Sequence, residues 1–270
     1  MKKLILLIIF LIPLKTMAIS ASSAIVMDLD NARVLYGKNI TESRLIASTT
    51  KIMTAIVAIE NGDLDKVVEV SDVIYEAFGS AIYIEVGEKL TLRDLLYGLM
   101  LRSGNDAALV IAEAVSGSED AFVKLMNDYV INLKLENTCF FNPHGLEENN
   151  GLANKASAYD LAKITKYAME NSTFRNIFRT KEYTLKTNYK TYVWHNKNKL
   201  LKYSYITGGK TGYTELARRT LVTTASQNNI NLVTVTLNDP NDFKDHTTLY
   251  EKIFKDYTSV LLIDKDNFDV

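Results

Sequence analysis

Strand patterns at both ends of the chain enclose a long helical middle, and this order restricts the fold more than any other feature. Ala24 to Asp28 and Arg33 to Tyr36 have the composition of two strands around an Asp30-Asn31 turn, which predicts a hairpin. From about residue 52 to residue 169, apolar residues recur with helical spacing, and strand patterns return afterwards. We therefore expect a mixed α/β fold, in which one antiparallel sheet is assembled from both chain ends and the helices form a second lobe.

The individual elements follow from periodicity and capping signals. Ile52, Ala55, Ile56 and Ile59 predict an amphipathic helix after Ser48. Asn61-Gly62 should end that helix, and Thr91-x-x-Asp94 should cap the start of the next. Further helices are predicted at Ala107–Val115, Ala121–Leu133, Ala158–Met169 and Asp242–Thr258. Strands are predicted at Tyr183–Leu185, Thr191–Trp194, Gly208–Gly212, Thr220–Ala225 and Asn231–Thr236.

The first twenty residues have the pattern of a secretory signal peptide. Met1-Lys2-Lys3 is basic, and the apolar run from Leu4 to Leu14 is too short for a membrane-spanning helix, which needs about 20 residues. Small residues at Ala18 and Ser20 predict cleavage before Ala21. A short uncleaved anchor is the alternative. We expect an extracytoplasmic protein of one domain over residues 21–270, without a stable membrane anchor after cleavage.

Charge and cysteine content exclude some classes of function. Residues 1–20 contain three of the 31 basic residues and none of the 32 acidic ones, so the remainder has a net charge of −4. Such a chain is unsuited to binding nucleic acid. The single cysteine, Cys139, cannot form an internal disulfide. His144, His195 and His246 are too scattered for metal-ligand spacing, so we expect no metal and no cofactor.

Three short motifs suggest covalent catalysis by a serine. Ser48-Thr49-Thr50-Lys51 places a hydroxyl and an amine at positions i and i+3 at the head of a predicted helix, where the two side chains are neighbours. A lysine so placed can take the serine proton if burial or a nearby cation, such as Lys210, lowers its pKa. The second and third motifs are Ser103-Gly104-Asn105 and Lys210-Thr211-Gly212.

These motifs and their neighbours resemble the D-alanyl-D-alanine carboxypeptidases, which are low-molecular-mass penicillin-binding proteins of the β-lactamase/transpeptidase-like superfamily. The segment Asn142-Pro143-His144-Gly145-Leu146 strengthens the similarity, which runs from about Ser22 to about Tyr257. It implies the α/β fold of that superfamily and a peptidoglycan stem peptide ending in D-Ala-D-Ala as substrate. It also implies covalent inhibition by β-lactam antibiotics. Many relatives continue into a β-rich domain and an amphipathic anchor helix, which we do not expect here.

The resemblance also implies the role of each site residue. Ser48 would be the nucleophile and Lys51 the general base, while Ser103 would pass a proton to the leaving D-alanine. Backbone N–H groups of Ser48 and Tyr213 would form the oxyanion hole. The substrate would be bound by Asn105, Lys210, Thr211, Gly212 and Tyr213. Support around the site would come from His144 and Asp160, and Asn196-Lys197-Asn198 would order a loop.

The sequence departs from the pattern of the family at one place, and two alternative functions remain. Many relatives carry an arginine for the terminal carboxylate, but Asn238–His246 contains none, so Arg218 and Arg219 are the candidate cations. A class A β-lactamase would need a Glu-x-x-Leu-Asn sequence, which does not occur between Ser116 and Asp160. A non-catalytic peptidoglycan-binding relative is the second alternative, although the polar residues of the site are intact.

Overall fold

A five-stranded antiparallel sheet forms the centre of the molecule. The computed structural model describes residues 19–148 and 151–260. Its strands are β1 (Ser23–Asp28), β2 (Val34–Lys38), β3 (Arg44–Leu45), β4 (Val67–Glu69), β5 (Lys89–Thr91), β6 (Lys155–Ala156), β7 (Glu182–Lys186), β8 (Thr191–His195), β9 (Ile206–Thr214), β10 (Arg218–Gln227) and β11 (Ile230–Leu237). The sheet order is β2-β1-β11-β10-β9. The predicted sheet built from both chain ends is thus confirmed, with β9 at one edge.

The described residues also contain seven α-helices, of which the last three in the chain pack on this sheet. They are α1 (Lys51–Asn61), α2 (Leu92–Tyr97), α3 (Asn105–Ser116), α4 (Glu119–Asn132), α5 (Ala158–Glu170), α6 (Ser172–Arg179) and α7 (Asp242–Asp256). The predicted helix ends are confirmed at Gly62, which caps α1, and at Thr91, whose side chain and Asp94 form a reciprocal capping box at α2. A π-helical turn, Gly98–Arg102, follows α2 directly.

The sheet is buried on both faces because successive side chains of a strand point to opposite sides. In β1, Ile25 and Met27 pack into the large core beneath α1 and α5, whereas Ala24 and Val26 pack into a second core beneath α7. This two-sided burial holds the edge strand β9 firmly between the two layers.

Two features differ from the sequence prediction. The helix α6 was not predicted, although Phe174, Ile177 and Phe178 recur at helical spacing and are buried. The strands β7 and β8 form a separate two-stranded hairpin instead of joining the main sheet. The first 18 residues, which hold most of the predicted signal peptide, lie outside the described residues.

Candidate active site

Ser48 and Lys51 lie at the junction between a 3-10 turn, Ala47–Thr50, and helix α1. The Lys51 side chain is fully buried, with Nζ 3.2 Å from Ser48 Oγ. Lys51 Nζ also donates to Asn105 Oδ1 at 2.7 Å and to the His144 carbonyl at 2.6 Å. A neutral amine has two N–H groups and one lone pair. With both N–H groups engaged by these acceptors, the lone pair faces the serine hydroxyl.

Burial is the main cause of the unusual acidity of this lysine. The pKa of Lys51 is lowered from 10.5 to about 7: burial contributes most, the charge of Lys197 adds to the shift, and Asp106 opposes it. Burial also lowers the pKa of Lys210 well below its usual value, with the charges of Lys51 and Lys197 adding to the effect. Among the causes of the Lys51 shift, Lys197 is the cation, whereas Lys210, which the sequence suggested, is not among them.

The backbone before the nucleophile is strained and closely packed. Ala47 has φ +45°, in the left-handed region that non-glycine residues rarely adopt. The loop carrying His144 lies against this turn: a Cβ added to Gly145, whose φ is +90°, would lie 2.0 Å from the Ala47 carbonyl oxygen. Asn142 Oδ1 accepts a hydrogen bond from the Gly145 amide at 2.7 Å. The loop therefore fixes the turn that presents Ser48.

Ser103 and Asn105 are positioned by the end of the π-helical turn. Ser103 has φ +66°, which ends that turn and leads into α3. The Asn105 amide Nδ2 donates to the Phe78 carbonyl at 2.6 Å, while the Asn105 backbone N–H donates to the Ser80 carbonyl at 2.7 Å. Because Nδ2 is fixed in this way, Oδ1 is directed to Lys51.

The edge strand β9 supplies the remaining predicted residues. Lys210 is buried, and its Nζ donates to Ser103 Oγ at 3.0 Å and to the Thr211 carbonyl at 2.7 Å. A Cβ added to Gly212 would lie 3.0 Å from the Ser48 backbone nitrogen, so β9 passes directly beside the nucleophile. Only a residue without a side chain permits this close approach. Tyr213 is exposed at the end of this segment.

A cavity of about 340 Å³ opens onto these groups. Ser48, Ser103 and Thr211 line one side of it, together with Gly212 and Tyr213. The cations that line it are Lys197, Lys199 and Arg219. The structure thus brings together the predicted nucleophile, its lysine and the β9 motif, in a cavity with a positively charged rim.

His144 and Asp160, the two residues predicted to support the site, have different positions relative to Lys51. Burial, and then the Lys51 charge, lowers the pKa of His144 to about 3, so its ring is neutral and its contact with Glu119 at 3.9 Å is not an ion pair at neutral pH. Asp160 lies in the first turn of α5, where its carboxylate accepts from the Asn137 amide and the Thr138 hydroxyl. These two bonds support the segment Asn137-Thr138, and neither joins Asp160 to Lys51.

Sequence reasoning missed the role of Lys197. Its Nζ donates to Ser80 Oγ at 3.1 Å, and its backbone amide donates to the Leu101 carbonyl. The flanking asparagines order the loop as expected, since the Asn198 amide donates to Asn196 Oδ1 at 2.8 Å. No group of three His, Cys, Asp or Glu residues is placed to hold a metal ion in the part of the chain that the structure describes.

The fold is that of the transpeptidase-like class, with a buried lysine amine 3.2 Å from a serine hydroxyl that lines the cavity. Residues 13–241 match the peptidase S11 family, described as D-alanyl-D-alanine carboxypeptidase, and the chain belongs to this family. The chain is 38% identical over 226 residues to the D-alanyl-D-alanine carboxypeptidase DacF of Bacillus subtilis, covering 81% of this chain and 57% of that relative.

The chain covers a larger share of three other similar proteins. A D-alanyl-D-alanine carboxypeptidase of Streptomyces sp. is 40% identical over 228 residues, covering 77% of each chain. The crystal structure of a D-alanyl-D-alanine carboxypeptidase from Mycobacterium tuberculosis superposes with a TM-score of 0.84 at 31% identity, covering 90% of this chain and 95% of that one. A mutant of a Streptomyces DD-transpeptidase superposes with a TM-score of 0.82 at 35% identity, covering 88% and 99%.

Proposed function

We propose that this protein is a serine-type D-Ala-D-Ala carboxypeptidase, which removes the terminal D-alanine from peptidoglycan stem peptides through an acyl-enzyme. The observation that carries the proposal is the position of the buried Lys51 amine, 3.2 Å from Ser48 Oγ with both of its N–H groups engaged elsewhere. An amine held in this way can accept the serine proton at neutral pH.

The first half of the reaction would proceed as follows. Ser48 Oγ attacks the carbonyl carbon of the penultimate D-alanine while its proton passes to Lys51. Backbone N–H groups of Ser48 and Tyr213 would bind the resulting oxyanion, each worth about 3–4 kcal/mol in the transition state. Ser103, hydrogen-bonded to Lys210, then delivers a proton to the leaving D-alanine nitrogen, and the proton that Lys51 took from Ser48 replaces it, so that Lys51 is neutral again before the second half. The C–N bond breaks and leaves an ester on Ser48.

In the second half, a water molecule enters the place that D-alanine has left. Lys51 accepts a proton from the water as it attacks the ester carbonyl, and Ser48 regains its proton when the ester bond breaks. Asn105 would bind the substrate amide through Oδ1, which can accept a second hydrogen bond besides that from Lys51.

The terminal carboxylate of the substrate would bind at the cationic rim of the cavity. Thr211 and Arg219 line the same cavity as the nucleophile, and Arg219 therefore can serve in place of the arginine that Asn238–His246 lacks. Asp242 pairs with Arg219 at 2.8 Å, while Arg219 Nε is buried without a hydrogen-bond partner among the described residues. Asp242 holds the guanidinium in place, and because the Arg219 side chain is 44% exposed, its accessible N–H groups can donate to a carboxylate in the cavity.

The site of action would be the cell wall, outside the cytoplasm. Peptidoglycan lies there, and the pattern of residues 1–20 favours export. Across residues 19–148 and 151–260, none of the helices is both long and apolar enough to cross a bilayer.

Intact-mass spectrometry tests the proposal. Wild-type protein should release D-alanine from a peptide ending in D-Ala-D-Ala and gain the mass of one penicillin. Ser48→Ala should do neither. Ser103→Ala is the matched control, because it removes a second hydroxyl from the same cavity but should still form the penicillin adduct, more slowly. An adduct on Ser48→Ala, or no D-alanine release by the wild type, would overturn the assignment.

A further inference from the structure

Three neighbouring cavities form a continuous depression that leads away from Ser48. The active-site cavity shares Lys199 and Phe243 with a second cavity of about 330 Å³. The second cavity shares Tyr203 with a third, of about 1010 Å³, between α6 and the start of β9. The depression therefore extends well beyond the space that one dipeptide terminus can fill.

Positive charge lines this depression along its whole length. Lys199, Lys202 and Lys244 line the second cavity, and Arg179 and Lys181 line the third. All five side chains belong to exposed residues, and none of them forms a salt bridge within the described ranges. We call these five residues the basic track.

The acidic residues in the same cavities are already engaged. Asp242 pairs with Arg219, and Glu170 pairs with Lys166 at 2.9 Å. Asp30, in the third cavity, accepts from the neutral Asn231 amide at 3.1 Å and keeps its negative charge. The five cations of the track exceed this one uncompensated acid, although the whole chain carries a net charge of −1. Such a local excess attracts an extended anion and raises its rate of association.

The position of the basic track relative to the substrate indicates which kind of anion can bind to it. Under the proposed function, the substrate ends in a carboxylate that binds beside Arg219, where the track begins. The substrate itself has no atoms beyond that carboxylate. A ligand that fills the second and third cavities must therefore be a separate molecule, and it must carry several negative charges.

We propose that the basic track binds a second peptidoglycan strand, whose stem peptides present free carboxylates, next to the strand being trimmed. This inference rests on the proposed function, because it takes the direction of the substrate from it. The protein would then act preferentially on strands in the assembled wall, and less efficiently on free peptides.

Kinetics on two substrates test the proposal. One is a free pentapeptide ending in D-Ala-D-Ala, and the other is a solution of uncross-linked glycan strands that carry the same peptide. In the triple variant Lys181→Gln/Lys202→Gln/Lys244→Gln, kcat/KM should fall about tenfold on the strands at low ionic strength. It should change less than about twofold on the free peptide. The wild-type preference for strands should weaken in 0.5 M salt, because salt screens exposed charges.

The control is Lys66→Gln/Lys124→Gln/Lys186→Gln, which removes three exposed lysines that line none of the three cavities. It should behave as wild type on both substrates. Equal losses on both substrates in the track variant, or the same loss in the control, would overturn the proposal.

A binding measurement separates this inference from the proposed function. Ser48→Ala protein should cosediment with insoluble peptidoglycan, and the added track substitutions should reduce this binding several-fold. Peptidoglycan stripped of its stem peptides should bind less. Stronger retention by a phosphodiester polymer than by strands with stem peptides would contradict the chosen ligand. Failure of the wild type to release D-alanine from either substrate would instead refute the proposed function.

Discussion

Replacement of Lys197 by glutamine should move the pH dependence of acylation to higher pH. With its pKa at about 7, Lys51 is about half neutral at pH 7, compared with roughly 3 in 10,000 for a lysine of ordinary pKa. Acylation needs the neutral amine, so its rate should fall about tenfold for each pH unit below 7 and level off above it.

The sign of the shift follows from the charge that is removed. Lys197 is positive and disfavours a second positive charge on Lys51, so its loss raises the pKa of Lys51. Lys197 is exposed, so solvent screens the interaction to about 0.5–1 kcal/mol. Acylation at pH 6 should therefore fall about two- to fivefold, while the rate at pH 9 should be unchanged.

Stopped-flow acylation by a fluorescent penicillin between pH 5.5 and 9 measures this shift. Lys199→Gln is the matched control, because Lys199 lines the same cavity but is not among the causes of the Lys51 pKa shift. Its profile should keep the wild-type midpoint. An unchanged midpoint in Lys197→Gln, or a flat wild-type profile over this range, would refute Lys51 as the titrating base.

Four further outcomes are expected. Lys51→Arg should slow penicillin labelling about 100- to 10,000-fold, because arginine stays protonated; near-wild-type labelling would refute the base role. Gly145→Ala should lower the free energy of unfolding in urea by at least about 2 kcal/mol, because its Cβ would meet the Ala47 carbonyl; a change below about 0.5 kcal/mol would contradict this geometry. In protein that retains Ile19 and Ser20, Ser20→Ala should cost about 1–2 kcal/mol in thermal unfolding, because its hydroxyl lies 2.7 Å from the Asp239 carboxylate; an unchanged midpoint would contradict that role. Nitrocefin should give a burst of about one equivalent and then slow turnover, whereas sustained hydrolysis on the order of 10 per second would indicate a β-lactamase.

Local patterns predicted most of the fold. The helix after Ser48, its end at Gly62 and the capping box at Thr91 depend on residues within one or two turns, and the sequence contains them directly. Helix α6 was missed because it has only eight residues, Ser172–Arg179. The separate pairing of β7 and β8 depends on tertiary contacts, which alternation of residues along a strand does not reveal.

Site residues that belong to short motifs could be predicted from the sequence. Effects between residues that are far apart in the chain could not. The spacing of Ser48 and Lys51 and the motif of Ser103 are in the sequence itself, and the structure places Ser48 beside Lys51 and lines one cavity with Ser48 and Ser103. The effect of Lys197 on Lys51 depends on how the loop after β8 lies against the π-helical turn, where the Lys197 amide donates to the Leu101 carbonyl, since the two lysines are far apart in sequence. The contact between Gly145 and Ala47 also joins distant segments, so only the structure explains that glycine.

Two left-handed backbone residues and two buried amines lie at the candidate active site. Ala47 and Ser103 both have left-handed φ values, each at a cost of order 1–3 kcal/mol. Lys51 and Lys210 are among the largest fully buried side chains, and burial disfavours their charged forms. The sheet, buried on both faces, supplies the apolar packing that offsets these costs. A neutral base beside Ser48 at pH 7 therefore depends on the stability of the whole domain, and substitutions that loosen the core around α1 should lower the acylation rate before the protein unfolds.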